Sequence, residues 1–422
     1  MSIALIDGNN FYAACEEAID PKLTGRPLVV LSNNDGCVIA RNAKARRLGV
    51  LMGAPYFKIR HELNRLDVEV RSSNYALYGD MSHRLMSLLT MHCEDLEIYS
   101  IDEAFAKINR PPDQSLHPWA RQLRASIYKS LGLPIAIGIG ASKSQAKLAN
   151  YLAKTASHHA GIFDLEKAKS PEACLENIAI ENVWGIGRKL ARWCRIRGIT
   201  NAKQFLNMPS NEVRSKFGVT GIRLQNELQG ITCLPLSTKP AAKQETCISR
   251  SFKRPISTIE ELRQAISTYV VKASEKLRMQ QQRAGAITVF TRTSAYTPYF
   301  YSQAATKRLS VHSNDTSILL ANSLDLTKRI FRPHRLLVKA GVIMQDLVDS
   351  EHLQLNLLET FNPEKTHQRE RLMQTIDNLN KRYGNDTIKW AVCGTNQTWR
   401  MHRNHLSPAA TTRLTDIPTV KV

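Results

Sequence analysis

Two short apolar runs, each associated with acidic residues, constrain the possible folds of this chain more than any other feature. The first run, Ile3 to Ile6, is followed by Asp7, and the second surrounds the adjacent acids Asp102 and Glu103. Both contexts predict short buried strands. A carboxylate beside a buried strand loses hydration and needs a compensating positive charge. Three such carboxylates favour a pair of Mg²⁺ ions, although adjacent acids also occur on solvated loops.

Length and charge restrict the classes of protein to which the chain can belong. Its 422 residues are enough for two to four domains, and a hydrophobic content of 43% supports packed cores. The formal net charge of +21 favours a polyanionic partner, although charge alone does not separate nucleic acid from an acidic membrane. No apolar run approaches the length of a membrane span, so we expect no membrane association.

The cysteines and the N-terminus indicate the compartment. The eight cysteines are scattered and form no C-x-x-C pair, which argues against a zinc site. The N-terminus starts with a strand-like segment instead of a signal peptide. These features predict a reduced, cytoplasmic protein.

Hydrophobic periodicity divides the chain into segments of different character. Strand candidates at 2–7, 27–31, 97–101, 104–108 and 134–139 and helix candidates at 77–91 and 118–130 predict an α/β region over 1–165. Residues 166–235 have a helical pattern, and 236–243 are a linker candidate. Residues 244–348 mix helix and strand, with a capping box at Thr258 that predicts a helix start. After 349 the pattern weakens, and we expect partial order at best.

A glycine-containing segment after the fifth strand candidate resembles a phosphate-binding loop. It runs from Ile135 to Ser144 but has no glycine directly before Lys143, so it fails the Walker pattern. A P-loop ATPase is therefore disfavoured. Lys147 and Lys154, on the helix that follows, remain candidates for binding phosphate.

Two further features near the N-terminus are candidates for nucleotide binding. Phe11 and Tyr12 follow the acid of the first strand, where an aromatic ring beneath an incoming sugar would exclude a 2′-hydroxyl; the alternative is a pair of core aromatics. Arg41 and Arg46 lie in a basic helical segment, and their guanidinium groups can each bind phosphate through two parallel N–H donors. A solvated basic helix face is the alternative for these arginines.

Two basic regions are candidates for binding a nucleic-acid backbone. Gly185-Ile186-Gly187 followed by Arg188 and Lys189 is typical of a helix-hairpin-helix, whose backbone N–H groups bind phosphates without reading sequence. Residues 243–308 contain twelve Lys or Arg and four Glu, which suggests a sheet along a phosphate backbone. The candidates there are Arg250, Lys253, Arg254 and Arg292.

Five ordered motifs carry a family resemblance that covers nearly the whole chain. They are Asp7-x-Asn9-x-Phe11-Tyr12-Ala13, Asn33-Asn34-Asp35-Gly36-Cys37-Val38-Ile39-Ala40-Arg41-Asn42, Ser73-Asn74-Tyr75-x-Leu77-Tyr78-x-Asp80-Met81-Ser82, Tyr99-Ser100-Ile101-Asp102-Glu103-Ala104-Phe105 and Trp184-Gly185-Ile186-Gly187-Arg188. Together they resemble the Y-family translesion DNA polymerases. Within that family the chain is most similar to the UmuC-like catalytic subunits of bacterial DNA polymerase V, including plasmid- and mobile-element-borne relatives.

The resemblance implies a multidomain α/β (α+β) fold shaped like a right hand. The palm would comprise 1–12 and 76–165, the fingers 13–75, the thumb 166–236 and the little finger 243–348. Residues 349–422 would be a C-terminal tail. A clamp-binding motif in that tail would consist of Gln354, Leu355, Leu357 and Leu358.

The resemblance also implies residue roles. Asp7, Asp102 and Glu103 would be catalytic and would bind two Mg²⁺ ions, with Mn²⁺ as an alternative, and Gly8 would contribute its carbonyl. Tyr12 would be the steric gate, the aromatic ring that excludes ribonucleotides. The incoming nucleotide would contact Phe11, Tyr12, Arg41, Arg46 and Lys154. Some relatives carry a tyrosine where Ala43 stands here, and Arg41 is the candidate for the contact it would make.

The implied activity is that of a DNA-directed DNA polymerase performing error-prone translesion synthesis in SOS mutagenesis, with no proofreading exonuclease motif. Its partners would be primer-template DNA, deoxynucleotides, a processed UmuD-like dimer, RecA and the sliding clamp. The protein would be cytoplasmic and associated with the nucleoid. Two other classes are a non-catalytic DNA-binding scaffold and a metal-dependent nuclease or nucleotide cyclase. The intact acidic triad disfavours a scaffold, and Tyr12 and the basic third domain disfavour both.

Overall fold

The computed structural model describes residues 2–109, 114–155, 159–239, 242–351 and 363–417. The chain forms two compact units. The first contains Met1–Pro240 and Asn404–Val422, and the second contains Ala241–Arg403.

The first unit contains the predicted α/β region and the predicted helical region. Its strands are β1 (Ser2–Gly8), β2 (Leu28–Leu31), β3 (Val38–Arg41), β4 (Glu69–Ser72), β5 (Asp95–Ile98), β6 (Glu103–Ile108), β7 (Ile135–Gly140) and β8 (Ile162–Asp164). Its helices are α1 (Phe11–Ile19), α2 (Ala43–Arg47), α3 (Tyr56–Arg65), α4 (Tyr75–His92), α5 (His117–Leu131), α6 (Lys143–Thr155), α7 (Pro171–Glu176), α8 (Arg188–Ile196), α9 (Ala202–Leu206) and α10 (Ser210–Leu228). The strand and helix candidates of the α/β region correspond to observed elements, but the candidate at 97–101 overlaps β5 only at residues 97 and 98, and its remaining residues lie in the turn before β6.

A five-stranded sheet is the centre of the first unit. Its strand order is β5-β6-β1-β7-β8, and β1 is antiparallel to both β6 and β7. Successive side chains of β1 point to opposite faces. Ala4 and Ile6 pack in a core with side chains of α1, α4 and α5, whereas Leu5 packs with Phe105 and Ala146 of α6. The central strands β1 and β7 are therefore buried on both faces, which explains why they are apolar runs, whereas the edge strand β5 is partly exposed.

The glycines of β7 allow α6 to pack closely against the sheet. A Cβ atom at Gly138 would lie 2.0 Å from the backbone N of Asn150 and 2.6 Å from its Cα. Asn150 also donates from Nδ2 to the carbonyl oxygen of Ala136 at 3.0 Å. The glycine pattern that resembled a phosphate loop therefore serves strand–helix packing.

The rest of the first unit has two smaller cores. Strands β3, β2 and β4 form a three-stranded sheet with its own core. Helices α7 to α10 enclose a third core that includes Phe205 and Val213. Gly185 has φ 92°, in the left-handed region that favours glycine, and Gly187 is the N-cap of α8. This is the tight turn between helices that the sequence predicted.

The second unit is built on one antiparallel sheet with strand order β11-β10-β12-β9. These strands are β9 (Thr246–Ile256), β10 (Gln282–Thr293), β11 (Ser302–Ser313) and β12 (Leu337–Asp349), and the helices are α11 (Ile259–Met279), α12 (Thr316–Ile330) and α13 (Pro363–Tyr383). Thr258 Oγ1 accepts a hydrogen bond from the backbone N of Glu261 at 3.3 Å, so the predicted cap is present. Side chains of α11 and α12 share a core with the sheet.

The region after 349 has more structure than the sequence analysis expected. Arg278 of α11 donates to Asp377 of α13 at 2.6 and 2.8 Å, and Trp399 is buried in the core of the second unit. Residues 404–417 instead belong to the first unit. The polar composition misled the sequence analysis because ion pairs, not an apolar stripe, hold α13. No helix in the described ranges is long and apolar enough to cross a membrane.

Candidate active site

Strand pairing brings the three predicted acids together. Asp7 near the end of β1 is the register partner of Glu103 at the start of β6. Asp102 lies in the turn just before β6, where its Oδ1 accepts from Ser100 Oγ at 2.7 Å. The backbone N of Gly8 donates to the carbonyl oxygen of Asp102 at 2.9 Å. The first strand and the β5–β6 hairpin thus place three carboxylates at one end of the sheet.

Lysines of α6 neutralise two of these acids. Lys154 Nζ lies 2.6 Å from Asp7 Oδ1, and Lys147 Nζ lies 2.7 Å from Glu103 Oε2. The two lysines are seven residues apart, which places them on one face of the helix. Both lysines were predicted as phosphate-binding candidates, and neither ion pair was predicted. Their spacing in the sequence places them on one helix face but does not identify the acids as their partners.

The pKa values of the paired acids Asp7 and Glu103 are shifted in opposite directions. Burial raises the pKa of Asp7 to about 7; Lys154 opposes this shift, whereas the hydrogen bond to Glu103 adds to it. Burial also acts to raise the pKa of Glu103, but hydrogen bonds from Asp7 and Lys147 outweigh it and hold that pKa below its usual range. Asp7 is therefore the member of the pair that keeps a proton near neutral pH.

The acids have the donor chemistry of a magnesium site without its arrangement. Among the described residues, no group of three or more His, Cys, Asp or Glu side chains is placed to hold a metal ion. Asp7 and Glu103 are directed to their lysines instead. Hard carboxylate oxygens are nevertheless the ligands that Mg²⁺ prefers, and a cation would replace the lysines in offsetting the buried charge. The three acids therefore have suitable ligand atoms for Mg²⁺, but Asp7 and Glu103 would have to change rotamer, away from their lysines, to bind it.

A cavity of about 420 Å³ brings Asp7 and Asp102, but not Glu103, together with the predicted nucleotide-binding residues. Its lining includes Asp7, Gly8, Asp102, Phe11, Tyr12, Arg41, Arg46 and Lys154, together with Asn10, Ile39, Ala40, Met52 and Ile101. All five predicted nucleotide contacts therefore lie in one place, and a cavity of this size suits a small polar ligand. Arg41 is partly engaged, because its guanidinium donates to the carbonyl oxygen of Val50. Met52 was not predicted to line the site, because its loop contains no recognisable motif.

The predicted steric gate is part of an aromatic cluster. The ring of Tyr12 stacks on Tyr78 with centroids 4.5 Å apart and an interplanar angle of 17°. Tyr75 meets Tyr12 edge-on at 6.0 Å. Tyr12 is half-buried and lines the cavity, whereas Phe11 is buried in the core. The reading of the pair as core aromatics thus describes Phe11 better than Tyr12.

The candidate DNA contacts are exposed. Gly185, Gly187, Arg188 and Lys189 lie at the surface of the first unit, and Arg250, Lys253, Arg254 and Arg292 at the surface of the second. Arg254 forms an ion pair with Glu261 and donates to Thr398 Oγ1 at 2.7 Å, so part of its charge is already neutralised. The clamp-motif residues 354–358 lie outside the described residues.

Family models match three parts of the chain. Residues 6–151 match the impB/mucB/samB family and residues 243–357 match the impB/mucB/samB family C-terminal domain. Residues 370–420 match a domain of unknown function, DUF4113, that the sequence analysis did not recognise. The chain is 38% identical to Protein UmuC of Salmonella typhimurium strain LT2 over 423 residues, which cover 99% of this chain and 100% of that protein. The chain belongs to the impB/mucB/samB family.

Other members and more distant proteins extend this result. Protein SamB of Salmonella typhimurium is 38% identical over 99% of both chains, and DNA polymerase IV 1 of Bacillus subtilis is 26% identical over 91% of both. A Y-family DNA polymerase chimera of Dbh and Dpo4 has a similar fold, with a TM-score of 0.67 and 22% identity, covering 83% of this chain and all of that one. The predicted α/β polymerase fold and the predicted UmuC-like, Y-family identity are confirmed. The family is that of translesion DNA polymerases, and the enzyme class is DNA-directed DNA polymerase.

Proposed function

We propose that the cavity lined by Asp7, Asp102 and Tyr12 is the site of template-directed nucleotidyl transfer in error-prone translesion synthesis. The observation that supports this most directly is the cavity itself, because it places two carboxylates beside three cationic side chains and two aromatic rings. Carboxylates bind catalytic cations, arginine and lysine bind triphosphate oxygens, and a flat ring can lie beneath a sugar.

We further propose that Asp7, Asp102 and Glu103 bind two Mg²⁺ ions, with Mn²⁺ as an alternative, and that the Gly8 carbonyl assists. When bound, such ions activate a 3′-hydroxyl and neutralise the leaving pyrophosphate. Lys154 lines the same cavity as Asp7, so its ammonium group is within reach of a bound phosphate.

The remaining residues of the cavity position the nucleotide in this proposal. Arg46 is exposed and forms no hydrogen bond or ion pair with any described side chain, so its guanidinium is available for a triphosphate. Arg41 would contribute a second contact from the neighbouring strand. Tyr12 would contact the sugar and exclude a 2′-hydroxyl, and Phe11 would support it from the core. Most of the rate enhancement would then come from positioning and charge neutralisation.

The proposed domain bounds assign DNA contact to two regions. Palm (1–12 and 76–165) and fingers (13–75) would build the cavity, while the thumb (166–236) and little finger (243–348) would hold the duplex. Primer-template DNA would contact the exposed backbone of Gly185 and Gly187 and the exposed arginines of the second unit. A solved structure with a similar fold, at a TM-score of 0.54 and 21% identity, is an insertion ternary complex of Dbh DNA polymerase.

Primer extension with Mg²⁺ and deoxynucleotides tests this proposal. We expect the chain to extend a primer on a template and Asp102→Asn to abolish extension while duplex binding and melting temperature stay close to those of the native chain. Asp95→Asn is the matched control, because it removes an acid from the same hairpin that forms only a long ion pair with Lys107 at 3.8 Å. Extension by Asp102→Asn within tenfold of the native rate would contradict the metal assignment.

The partners are proposed from the family. A processed UmuD-like dimer, RecA and a sliding clamp would act with this chain, which would be cytoplasmic and associated with the nucleoid. Gln354, Leu355, Leu357 and Leu358 would dock on the clamp, since a short motif binds by inserting a few side chains into a preformed groove. We expect Gln354→Ala with Leu357→Ala to weaken clamp binding about tenfold or more and to spare clamp-free extension. Unchanged clamp binding would remove this assignment.

A further inference from the structure

The position of Tyr12 depends on the ring of Tyr78. The two rings stack at 4.5 Å, and Tyr78 is completely buried. The hydroxyl of Tyr78 donates to Glu16 Oε1 at 2.7 Å, which restricts its ring. Glu16 lies on α1, one helical turn after Tyr12, and Tyr78 lies on α4. The ring of Tyr12 on α1, the proposed gate, therefore packs against α4, and the hydrogen bond between Tyr78 and Glu16 links the two helices.

Glu16 is a buried acid for which the proposed chemistry has no use. Its side chain has no exposed surface, and its Oε2 has no hydrogen-bond partner among the described residues. Burial raises its pKa, and hydrogen bonds from Tyr78 and Ser407 oppose that shift. A buried carboxylate is costly unless its oxygens accept hydrogen bonds, so the two hydroxyl donors to Oε1 matter for its position.

The second of these donors comes from the far C-terminal segment. Ser407 Oγ donates to Glu16 Oε1 at 3.1 Å and accepts from Asn74 Nδ2 at 3.0 Å. Asn74 also caps α4, because its Oδ1 accepts from the backbone N of Leu77 at 3.3 Å. One hydroxyl thus connects the helix of Tyr12 with the start of the helix of Tyr75 and Tyr78.

The residues before Ser407 are anchored to the predicted fingers. The backbone N of Ser72, the last residue of β4, donates to the carbonyl oxygen of His405 at 2.9 Å, and the backbone N of His405 donates to Ser72 Oγ at 3.0 Å. The backbone N of Asn404 donates to Asp35 Oδ2 at 2.9 Å. The ring of Tyr56 meets His405 edge-on at 5.9 Å. These contacts fix the segment in place and leave Ser407 directed at Glu16.

We propose that Ser407 is a positioning residue for sugar selection: through Glu16, Asn74 and Tyr78 it holds Tyr12 where it excludes a 2′-hydroxyl. The inference rests on the proposed function, because it assumes that Tyr12 is the gate. It gives a role to the part of the chain that matches the domain of unknown function. Loss of the Ser407 hydroxyl removes one of the two hydroxyl donors to Glu16 Oε1 and leaves Tyr78 as the other. It also removes one acceptor of Asn74 Nδ2, which keeps its hydrogen bond to the Ser407 carbonyl oxygen at 3.2 Å. Glu16 and the Tyr78 ring that it positions are then less restricted.

The test compares incorporation of one matched ribonucleotide and deoxynucleotide by full-length variants. For Ser407→Ala we expect the ratio of kcat/KM for the deoxynucleotide to that for the ribonucleotide to fall about three- to tenfold, the range that corresponds to one buried hydrogen bond. Deoxynucleotide kcat/KM should change little. Tyr78→Phe, which keeps the ring and removes the hydroxyl, should shift the ratio in the same direction. Thr412→Ala is the matched control, since its hydroxyl is exposed in the same segment.

Each outcome decides between distinct assumptions. If the native chain extends no primer, the proposed function fails and this inference fails with it. If Tyr12→Ala leaves the ratio unchanged, Tyr12 is not the gate and the inference is again overturned. If Tyr12→Ala lowers the ratio but Ser407→Ala and Tyr78→Phe do not, only the positioning role is overturned. Equal losses for both nucleotides, with a lowered melting temperature, would show that Ser407 is merely structural.

Discussion

At the scale of single residues, the acids of the site are balanced by lysines of one helix. Asp7 is buried and would be costly as an isolated charge, yet Lys154 lies 2.6 Å from it. Glu103 has the corresponding ion pair with Lys147. Because the helix after β7 carries both lysines, the charge balance of the site is built into the fold.

This arrangement predicts that the proposed binding of Mg²⁺ depends on pH. Burial raises the pKa of Asp7 to about 7, so below that pH a cation must displace a proton from the carboxyl group. We expect the apparent affinity for Mg²⁺, measured without DNA by calorimetry, to rise up to about tenfold per pH unit below 7 and to level off above it. In Asp7→Asn the pH dependence should disappear. An affinity that is flat between pH 6 and 8 in the native chain would contradict the raised pKa.

At the scale of elements, the contact between β7 and α6 positions the site. A Cβ atom at Gly138 would lie 2.0 Å from the N of Asn150 and 2.5 Å from the O of Ala146, both backbone atoms of α6. These atoms cannot move without a shift of the helix. The same helix carries Lys147 and Lys154, so its distance from the sheet sets the distance of the lysines from the acids.

We therefore expect Gly138→Ala to lower the free energy of unfolding by about 3 kcal/mol, as overpacking against backbone does, and to reduce primer extension. The matched control is Gly79→Ala on α4, where an added Cβ meets nothing within 4 Å. That change should be neutral or stabilise by up to about 1 kcal/mol, because alanine favours the helix. Chemical denaturation measures both variants. Equal stability of the two would show that α6 can move away without cost.

At the scale of the whole molecule, the net charge of +21 favours binding to the phosphates of DNA. Each phosphate contact lowers log K by about 0.9 per unit of log salt for duplex DNA. We expect the combined change Arg250→Ala, Lys253→Ala and Arg292→Ala to flatten the log–log slope by roughly 3.

The matched control removes three exposed cations that lie on helices of the first unit, Arg84, Arg121 and Lys129. It lowers the net charge equally and should leave the slope nearly unchanged. Equal flattening by both sets of changes would show that total charge, and not the surface of the second unit, controls binding.

The sequence by itself determined the local chemistry and most of the elements. The apolar runs around Asp7 and Glu103, the capping box at Thr258 and the glycine turn at Gly185 were all readable because a strand, a cap and a turn depend on neighbouring residues. The acids and the cationic side chains of the cavity were named from motifs that lie within short segments.

Only the tertiary structure decided how distant residues meet. The ion pairs of Lys147 and Lys154 needed the register of β1 with β6 and the packing of α6, which no local pattern encodes. Ser407 contacts Glu16 across 391 positions in the chain, from a polar segment without periodicity. Such contacts follow from the packing of the whole first unit, because a hydrogen bond between two distant side chains leaves no spacing in the sequence from which it could be predicted.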